Sequence, residues 1–469
     1  MGELINSHRL ARLLGPWDCS DGTLSNSLAS GLRLLIVNGQ LPAGSRLPSE
    51  RSLAATMGLA RTTVGAAFDE LRYDGSLSSR TGIGTFVSSA GRTASARGDA
   101  RLQSFLEPGI VGRVDLRSAA DQALPMVAEE LGRLSAEDFE PLLDNHGYFP
   151  EGLAELREAI AGYYRADGLE TSAEQVMVTA GAQQAVHIIT RSLIEVGDVV
   201  LVEEPTYRGG IESLRAAGAR LVSVRSGDKG LDVEQFAEVL ERQRPKMALI
   251  LSTVHNPTGS CLENDKRAEA AMLAEQYGVT IIDDASTTDT LCRDERPLPI
   301  AGFCKDTITV GSASKLFWGG LRVGWIRAQT GVLTSLVAAK SAEDLGTSIP
   351  SQIVTERLLK RLQEARGQRR ALLEDRLTDA LACLDCLLPN WHVHPTQGGA
   401  SLWVRLPGGR SSLAFAEQAR RAGVDLLAGP TFSVLNECDD HIRIAISAPP
   451  EMLETGLLRL SRVWHDWAG

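Results

Sequence analysis

Aromatic residues make up only 5% of this 469-residue sequence. No stretch of it approaches the roughly 18 to 20 apolar residues that a bilayer-spanning helix needs. The opening MGELINSHRLARLLG is polar and basic, without the apolar run of a secretory leader, so the expected location is the cytoplasm. Cysteine is sparse: Cys19, Cys261, Cys292, Cys304, Cys383, Cys386 and Cys438 are odd in number and scattered, which argues for free thiols in a reducing compartment. Cys383 and Cys386 form a lone CxxC on a helical stretch with no second pair. That reads as a buried structural pair rather than a zinc or redox site, and no metal is expected. His392 and His394 flank Trp391 and Val393 in a strand-like stretch and read as surface residues. Internal repeats, a Walker loop and a Ser/His/Asp set are all missing.

What is present is an ordinary globular balance, 43% hydrophobic and 23% charged, in a chain long enough for two to four domains. The net charge of −11 is unevenly spread. Residues 1–90 hold eight arginines, no lysine and seven acidic residues, net +1; the remaining 379 hold 40 basic and 52 acidic residues, net −12. An acidic whole argues against nucleic-acid coating along the chain, but leaves room for a small DNA-reading module at one end.

SSAGRTASARGDARLQS, residues 88–104, is Ser/Ala/Gly/Arg-rich without apolar periodicity, the composition of a linker. The spacing divides the chain into an arm over 1–23, a helical unit over 24–88, a linker over 89–112 and a large body over 113–469. In the helical unit, Leu28, Leu32, Leu35 and Ile36 recur at helical spacing and Gly39 stops the helix. Ser49 is placed to cap a short helix from Glu50 that ends at Gly58. A second helix follows, with Val64, Phe68 and Leu71 on one face and Gly75 at its end. SLSSR and GTFVSS then flank the turn Thr81-Gly82-Ile83-Gly84, the layout of a winged helix-turn-helix. The second helix of such a motif lies in the major groove, and here it opens with Arg61, Thr62 and Thr63. Arg51 is placed to clamp a phosphate, and Gly82, with Arg80 beside it, permits close backbone approach at the wing.

LPSERSLAATMGLARTTVGAAFDELRYDGSLSSRTGIGTFV closely resembles the DNA-binding domain of the GntR family of bacterial regulators, over about residues 24–88. The resemblance implies DNA contacts at Arg51, Arg61, Thr62, Thr63 and Gly82. Gly65 departs from it, standing where some family members place a second arginine on the recognition helix.

In the body, short β-branched runs (QVMVTAG, VVLVEEP, RLVSVRS, MALILSTV, VTIIDDA, TITVGSAS) alternate with helical stretches, so a largely parallel sheet covered by helices is expected. A smaller α+β lobe follows, with one long helical stretch from Gln352 onward and the runs ASLWVRLP and HIRIAIS. Ser312-Ala313-Ser314-Lys315, with Arg322 seven residues on, places a lysine that can form an imine beside groups suited to a phosphate dianion. An aldehyde and a phosphate together mean pyridoxal 5′-phosphate. Gly181, Ala182 and Gln183 open a helix after a strand, where backbone amides can hold phosphate. A carboxylate at the end of IIDD can pair with a pyridinium nitrogen, Asn256 of HNPTG can donate to the ring's phenolic oxygen, and Tyr207 can stack on the ring. Arg443 of HIRIAIS is free to hold a carboxylate as a fork.

This constellation resembles the fold-type I aminotransferases over about residues 113–465. Carried over, Lys315 would be the Schiff-base lysine and Asp284 the pyridinium partner, with Asp283 its rival because neighbours on a strand face opposite ways. Asn256 and Tyr207 would hold the ring, Arg322, Ser312, Ser314, Ala182 and Gln183 the phosphate, and Arg443 an effector carboxylate. Family members usually carry a tyrosine two or three residues past the aspartate, where this chain has Ser286 and Thr287. A winged helix before such a body looks like the MocR subfamily of transcription regulators. That resemblance implies sensing of pyridoxal phosphate or an amino compound through Lys315, a homodimer with crossed-over DNA-binding domains, and an operator with paired half-sites rather than catalysis. An active aminotransferase carrying an accessory DNA-binding domain is the alternative.

Overall fold

Leu28, Leu32, Leu53, Val64, Phe68, Leu71 and Val87 bury their side chains together at one end of the chain. The computed structural model describes residues 5–14, 24–37, 41, 44–73, 76–80, 84–88, 112–435 and 437–468. The chain divides into two units, Met1–Pro108 and Gly109–Gly469.

The first unit is built from α1 (Ser7–Leu14), α2 (Leu24–Val37), α3 (Glu50–Met57), α4 (Arg61–Tyr73) and the antiparallel hairpin β1 (Leu77–Arg80) and β2 (Gly84–Val87). Ser49 caps α3, its side chain accepting from the Ser52 amide at 3.2 Å, and Gly58 ends it with φ 67°. Helix α1 lies in the stretch taken from sequence as an arm. Leu10 and Leu14, four apart, with Ile5 before them, fill the same core, an i,i+4 signal legible in HRLARLL. Gly39, Gly75 and the wing-tip Gly82 lie outside the described residues, as does the Arg80 side chain.

Gly65 sits inside α4 with helical backbone, and a Cβ there would meet Glu50 Oε2 at 3.6 Å, an ordinary contact. Gly65→Ala is therefore expected to stabilise the winged unit by about 0.5–1 kcal/mol, read as a higher denaturant midpoint.

In the second unit, β3 (Val114–Asp115) precedes the strands of an eight-stranded sheet: β4 (Val176–Thr179), β5 (Val199–Glu204), β6 (Arg220–Gly227), β7 (Gly230–Leu231), β8 (Met247–Ile250), β9 (Thr280–Asp284), β10 (Ile308–Ser312) and β11 (Gly324–Arg327). Their order is β4-β11-β10-β9-β8-β5-β6-β7, and only β11 and the short β7 run against the rest. The central strands are buried on both faces, which is why they read as continuous β-branched runs. Helices pack on either side, among them α5 (Ala182–Leu193) and α6 (Asn264–Tyr277).

The helical stretch from Gln352 onward is two helices, α7 (Ile349–Leu359) and α8 (Leu362–Leu387). Arg361 breaks it at φ −104°, ψ 28°, its guanidinium held by Glu364, Glu129 and Glu130. Beyond lie β12 (His392–Val393), β13 (Ser401–Arg405), β14 (Val424–Asp425), β15 (Leu427–Ala428) and β16 (His441–Ala445). They form a sheet ordered β12-β13-β16-β15, while β14 pairs in parallel with β3. Trp391, Phe415 and Trp464 meet edge to face in this lobe's core. Among the described residues, no helix is long and apolar enough to cross a membrane.

Candidate functional site

Parallel strands point their carboxyl ends the same way, so the residues just beyond β4, β5, β8, β9 and β10 arrive at one rim of the sheet. Gly181, Tyr207, Asn256, Asp284 and Lys315 come from these five ends. A cavity opens there, lined by Lys315, Asn256, His255, Thr287, Ala119 and Gly399 among others.

Lys315 lies three residues past β10 and donates from Nζ to the Ala119 carbonyl at 2.8 Å. Burial lowers its ammonium pKa to about 8. Asp121 and Asp284 oppose the shift, and the positive charges of Arg443 and Arg369 add to it. The two neighbouring aspartates separate by face. Asp284 shares its face with Ile282 under α5, and it is the one whose charge is felt by Lys315. Asp283 turns the other way toward α6, accepting from the Ser252 amide and hydroxyl at 3.3 and 3.0 Å and facing Arg267. Burial raises the pKa of Asp284, against the Ser286 amide that donates to it at 3.1 Å and the Ser286 hydroxyl. A carboxylate so placed gains most from a cation brought to it.

Tyr207 donates to Gln183 Oε1 at 3.2 Å, and the Gln183 amide group is itself tied to the Gly209 carbonyl and the Ser213 hydroxyl. Ala182 and Gln183 still present the first-turn amides of α5, whose cap Gly181 has φ 102°. A Cβ on Gly181 would lie 3.1 Å from Arg322 Nη2, so only glycine fits this cradle without displacing the guanidinium. Arg322 is exposed and donates to the Ala180 carbonyl at 2.6 Å. Ser312 is buried with its hydroxyl accepting from the Ser314 amide at 3.1 Å, and Ser314 is partly exposed.

Arg443 is not free as expected from sequence. It is 6% exposed, donates from Nη1 to Asn256 Oδ1 at 3.1 Å and from Nη2 to the Arg117 carbonyl, and rests 4.9 Å over the Phe432 ring. Its Nε has no hydrogen-bond partner among the described residues, and burial lowers its pKa to about 10. Since Asn256 accepts through Oδ1, its amide nitrogen remains to donate into the cavity. Thr287, third after Asp284, takes the place of the missing tyrosine; it lines the cavity and its hydroxyl donates to the Thr253 carbonyl at 3.1 Å. Val254 holds φ 51°, a costly conformation for a β-branched residue, beside Asn256.

Sequence reasoning missed the segment Arg117–Asp121, whose carbonyls reach Lys315 and Arg443, because irregular backbone carries no periodicity to read. It also missed Asp121 with Arg369 and Arg376 behind the lysine. Two minor expectations are corrected. Cys386 is exposed and Cys383 only half-buried, since α8 turns Leu384 inward between them. His394 is no bare surface residue: it bonds Asp228 at 2.8 Å and His441 at 3.0 Å, which the pairing of β12 with β13 brings within reach.

In the first unit, Arg61 and Thr62 are exposed at the start of α4, Thr63 is partly exposed, and Arg51 is exposed on α3. Arg72 is held by Glu50 and Asp69, and Arg33 by Glu70. Arg51 and Arg61 have no ion pair among the described residues, so these two residues, expected from sequence to contact DNA, carry uncommitted guanidiniums.

Residues 120–460 match the family of aminotransferase class I and II, and residues 24–87 the bacterial regulatory proteins of the gntR family. The chain belongs to the aminotransferase class I and II family. With a gntR domain ahead of that body, it has the make-up of the MocR subfamily of GntR-type regulators. The Bacillus subtilis uncharacterized HTH-type transcriptional regulator YdfD is 27% identical over 461 residues, 92% of this chain and 94% of that protein. The 2-aminoadipate transaminase of Thermus thermophilus is 28% identical over 71% of this chain and 85% of its own length. The Rhizobium meliloti probable rhizopine catabolism regulatory protein MocR is 29% identical over 66% of each. Among solved structures, Thermus thermophilus LysN, alpha-aminoadipate aminotransferase, complexed with N-(5′-phosphopyridoxyl)-L-leucine, has a TM-score of 0.70 at 25% identity, covering 80% of this chain and 97% of that one. This MocR-type chain thus combines a DNA-binding regulatory domain with a fold-type I body.

Proposed function

We propose that this chain is a transcription regulator whose body holds pyridoxal 5′-phosphate at Lys315 and senses an amino compound there, while residues 24–88 read an operator. The observation that supports the reading is the meeting of Lys315 and Asn256 in one cavity from strand ends far apart in sequence, with the Asp284 charge felt at Lys315 and Arg443 hydrogen-bonded to Asn256. The donor set fits the cofactor: a buried amine held to about 8, a buried carboxylate with no ion pair among the described residues, and a glycine cradle under Arg322 at a helix start.

When bound, the cofactor supplies an aldehyde that condenses with a primary amine, losing water, and a ring that draws electrons. Lys315 is the amine. Asp284 holds a proton on the pyridine nitrogen, Asn256 donates to the phenolic oxygen, and Tyr207 covers the ring face. Ser312, Ser314, Arg322 and the amides of Gly181, Ala182 and Gln183 bind the phosphate. Arg443 receives the carboxylate of an amino-compound effector. Thr287, too short for the usual tyrosine's place, removes a donor to the phenolic oxygen, which favours sensing over transamination. Turnover with an amino donor and a keto acid distinguishes the two; sustained product formation would favour the enzyme.

At the other end, Arg61 reads a guanine edge, Thr62 and Thr63 touch phosphate or a thymine methyl, and Arg51, Arg80 and Gly82 seat the backbone. The chain acts as a homodimer with crossed-over DNA-binding domains on paired half-sites. Arg61→Ala is expected to weaken operator binding by about 1–3 kcal/mol and relax specificity at one base pair; unchanged affinity in a gel-shift titration would overturn the groove assignment.

A further inference from the structure

Between two anchored ends, the segment Arg117–Ala120 crosses the rim of the cavity as irregular chain. On one side Leu116 is fixed: its amide donates to the Asp425 carbonyl at 2.8 Å and its carbonyl accepts from Ala445 at 3.0 Å. On the other, Asp121 pairs with Arg376, and the Gln122 carbonyl accepts from Arg369 at 3.0 Å. In the middle, three successive carbonyls accept from side chains: Arg117 from Arg443, Ser118 from Ser447 at 2.6 Å, and Ala119 from Lys315 at 2.8 Å. Two of those three donors are the cations of the ligand site.

We infer that Arg117–Ala120 is a strap that an amino acid, as opposed to a simple amine, displaces by giving Arg443 a carboxylate in place of the Arg117 carbonyl. The inference rests on the functional reading above and adds what effector binding moves. The direction follows from donor counting. The Arg117 carbonyl satisfies Nη2 and leaves the buried Nε without a hydrogen-bond partner among the described residues. A carboxylate set as a fork takes Nη2 and Nε together and brings the opposite charge, so the exchange gains a hydrogen bond and an ion pair. With the Lys315 nitrogen committed to the cofactor, the Ala119 carbonyl would lose its donor, leaving Ser447 as the remaining side-chain donor to the three carbonyls. The displacement reaches the start of the body because Arg117 grips Asp115 of β3 through its amide and Nε, both at 2.9 Å, and Nη2 at 3.1 Å. β3 is the first strand after residues 89–112, the stretch that joins the two units in sequence.

The experiment is limited trypsin digestion of the full chain, following cleavage after Arg117 by fragment mass. Pyridoxal phosphate uptake is measured by absorbance on the same samples. With cofactor bound, L-alanine is expected to speed this cleavage severalfold and ethylamine to leave it near the cofactor-only rate. Ser447→Ala is expected to raise the rate before any ligand is added, and Arg443→Gln to remove the response to L-alanine. Equal acceleration by L-alanine and ethylamine, or none by L-alanine on cofactor-loaded protein whose spectrum responds to it, would overturn the strap and leave the functional reading intact. Failure to take up the cofactor at all would bring down that reading, and the strap with it.

Discussion

Lys315→Ala is expected to abolish the absorbance band at about 410–430 nm that pyridoxal phosphate acquires on joining a protein amine, and with it any adduct fixed by borohydride. The effect is all-or-none because the bond has one nitrogen to form on. Lys315 is the amine among the residues that line the cavity, and the cations that act on it, Arg443 and Arg369, are guanidiniums. A band surviving in the variant, or wild-type protein that stays colourless with excess cofactor, would refute the assignment. The same nitrogen sets a pH dependence. Attachment needs the neutral amine, and burial holds the ammonium down to about 8 from the ordinary lysine value. The uptake rate should therefore climb with pH and level off above about 8. A rate still climbing steeply well past that point would mean that Lys315 is not depressed.

Arg366→Met is expected to cost about 3–5 kcal/mol of stability, the largest effect foreseen away from the cavity. Arg366 grips Asp167 with two bonds of 2.7 and 2.8 Å, bonds Asp289 at 2.8 Å, and lies 4.9 Å over the Tyr163 ring, all largely buried. Without it the two buried carboxylates share Arg296 as their one remaining ion-pair partner among the described residues, with the Tyr163 hydroxyl still donating to Asp289. The surface pair Arg420–Glu417 provides the contrast, since Arg420→Ala should change stability by less than about 0.5 kcal/mol. Burial pushes the Asp289 carboxyl up, but Arg366 and Arg296 together hold it below the ordinary range. The cluster's contribution is thus fully present above the ordinary aspartate range and is lost as pH falls through the depressed value. Thermal melts of both variants would test this; equal losses would refute the buried-cluster account. Because Asp289 follows Asp284 by five residues, the cluster also fixes the loop carrying Thr287.

Much of the architecture was legible beforehand because its signals are local. The cap at Ser49, the left-handed Gly58 and the period-3.6 faces of α2 and α4 each arise within a few residues. The strands of the central sheet announced themselves as β-branched runs because burial on both faces demands that composition. Helix α1 went unread although Leu10 and Leu14 carry the spacing, since eight residues give too short a period to stand out. The break at Arg361 was invisible for a different reason: the acidic groups that hold its guanidinium include Glu129 and Glu130, more than 200 residues away.

The amino-acid order by itself determined which chemical groups this protein owns and the strand ends at which they emerge, because motif, turn and periodicity are properties of neighbouring residues. It could not decide between Asp283 and Asp284, nor show Arg443 already engaged by a backbone carbonyl. Those outcomes depend on which layer covers each face of β9 and on a segment met more than 300 residues earlier, and only packing in three dimensions brings such distant parts within hydrogen-bonding range.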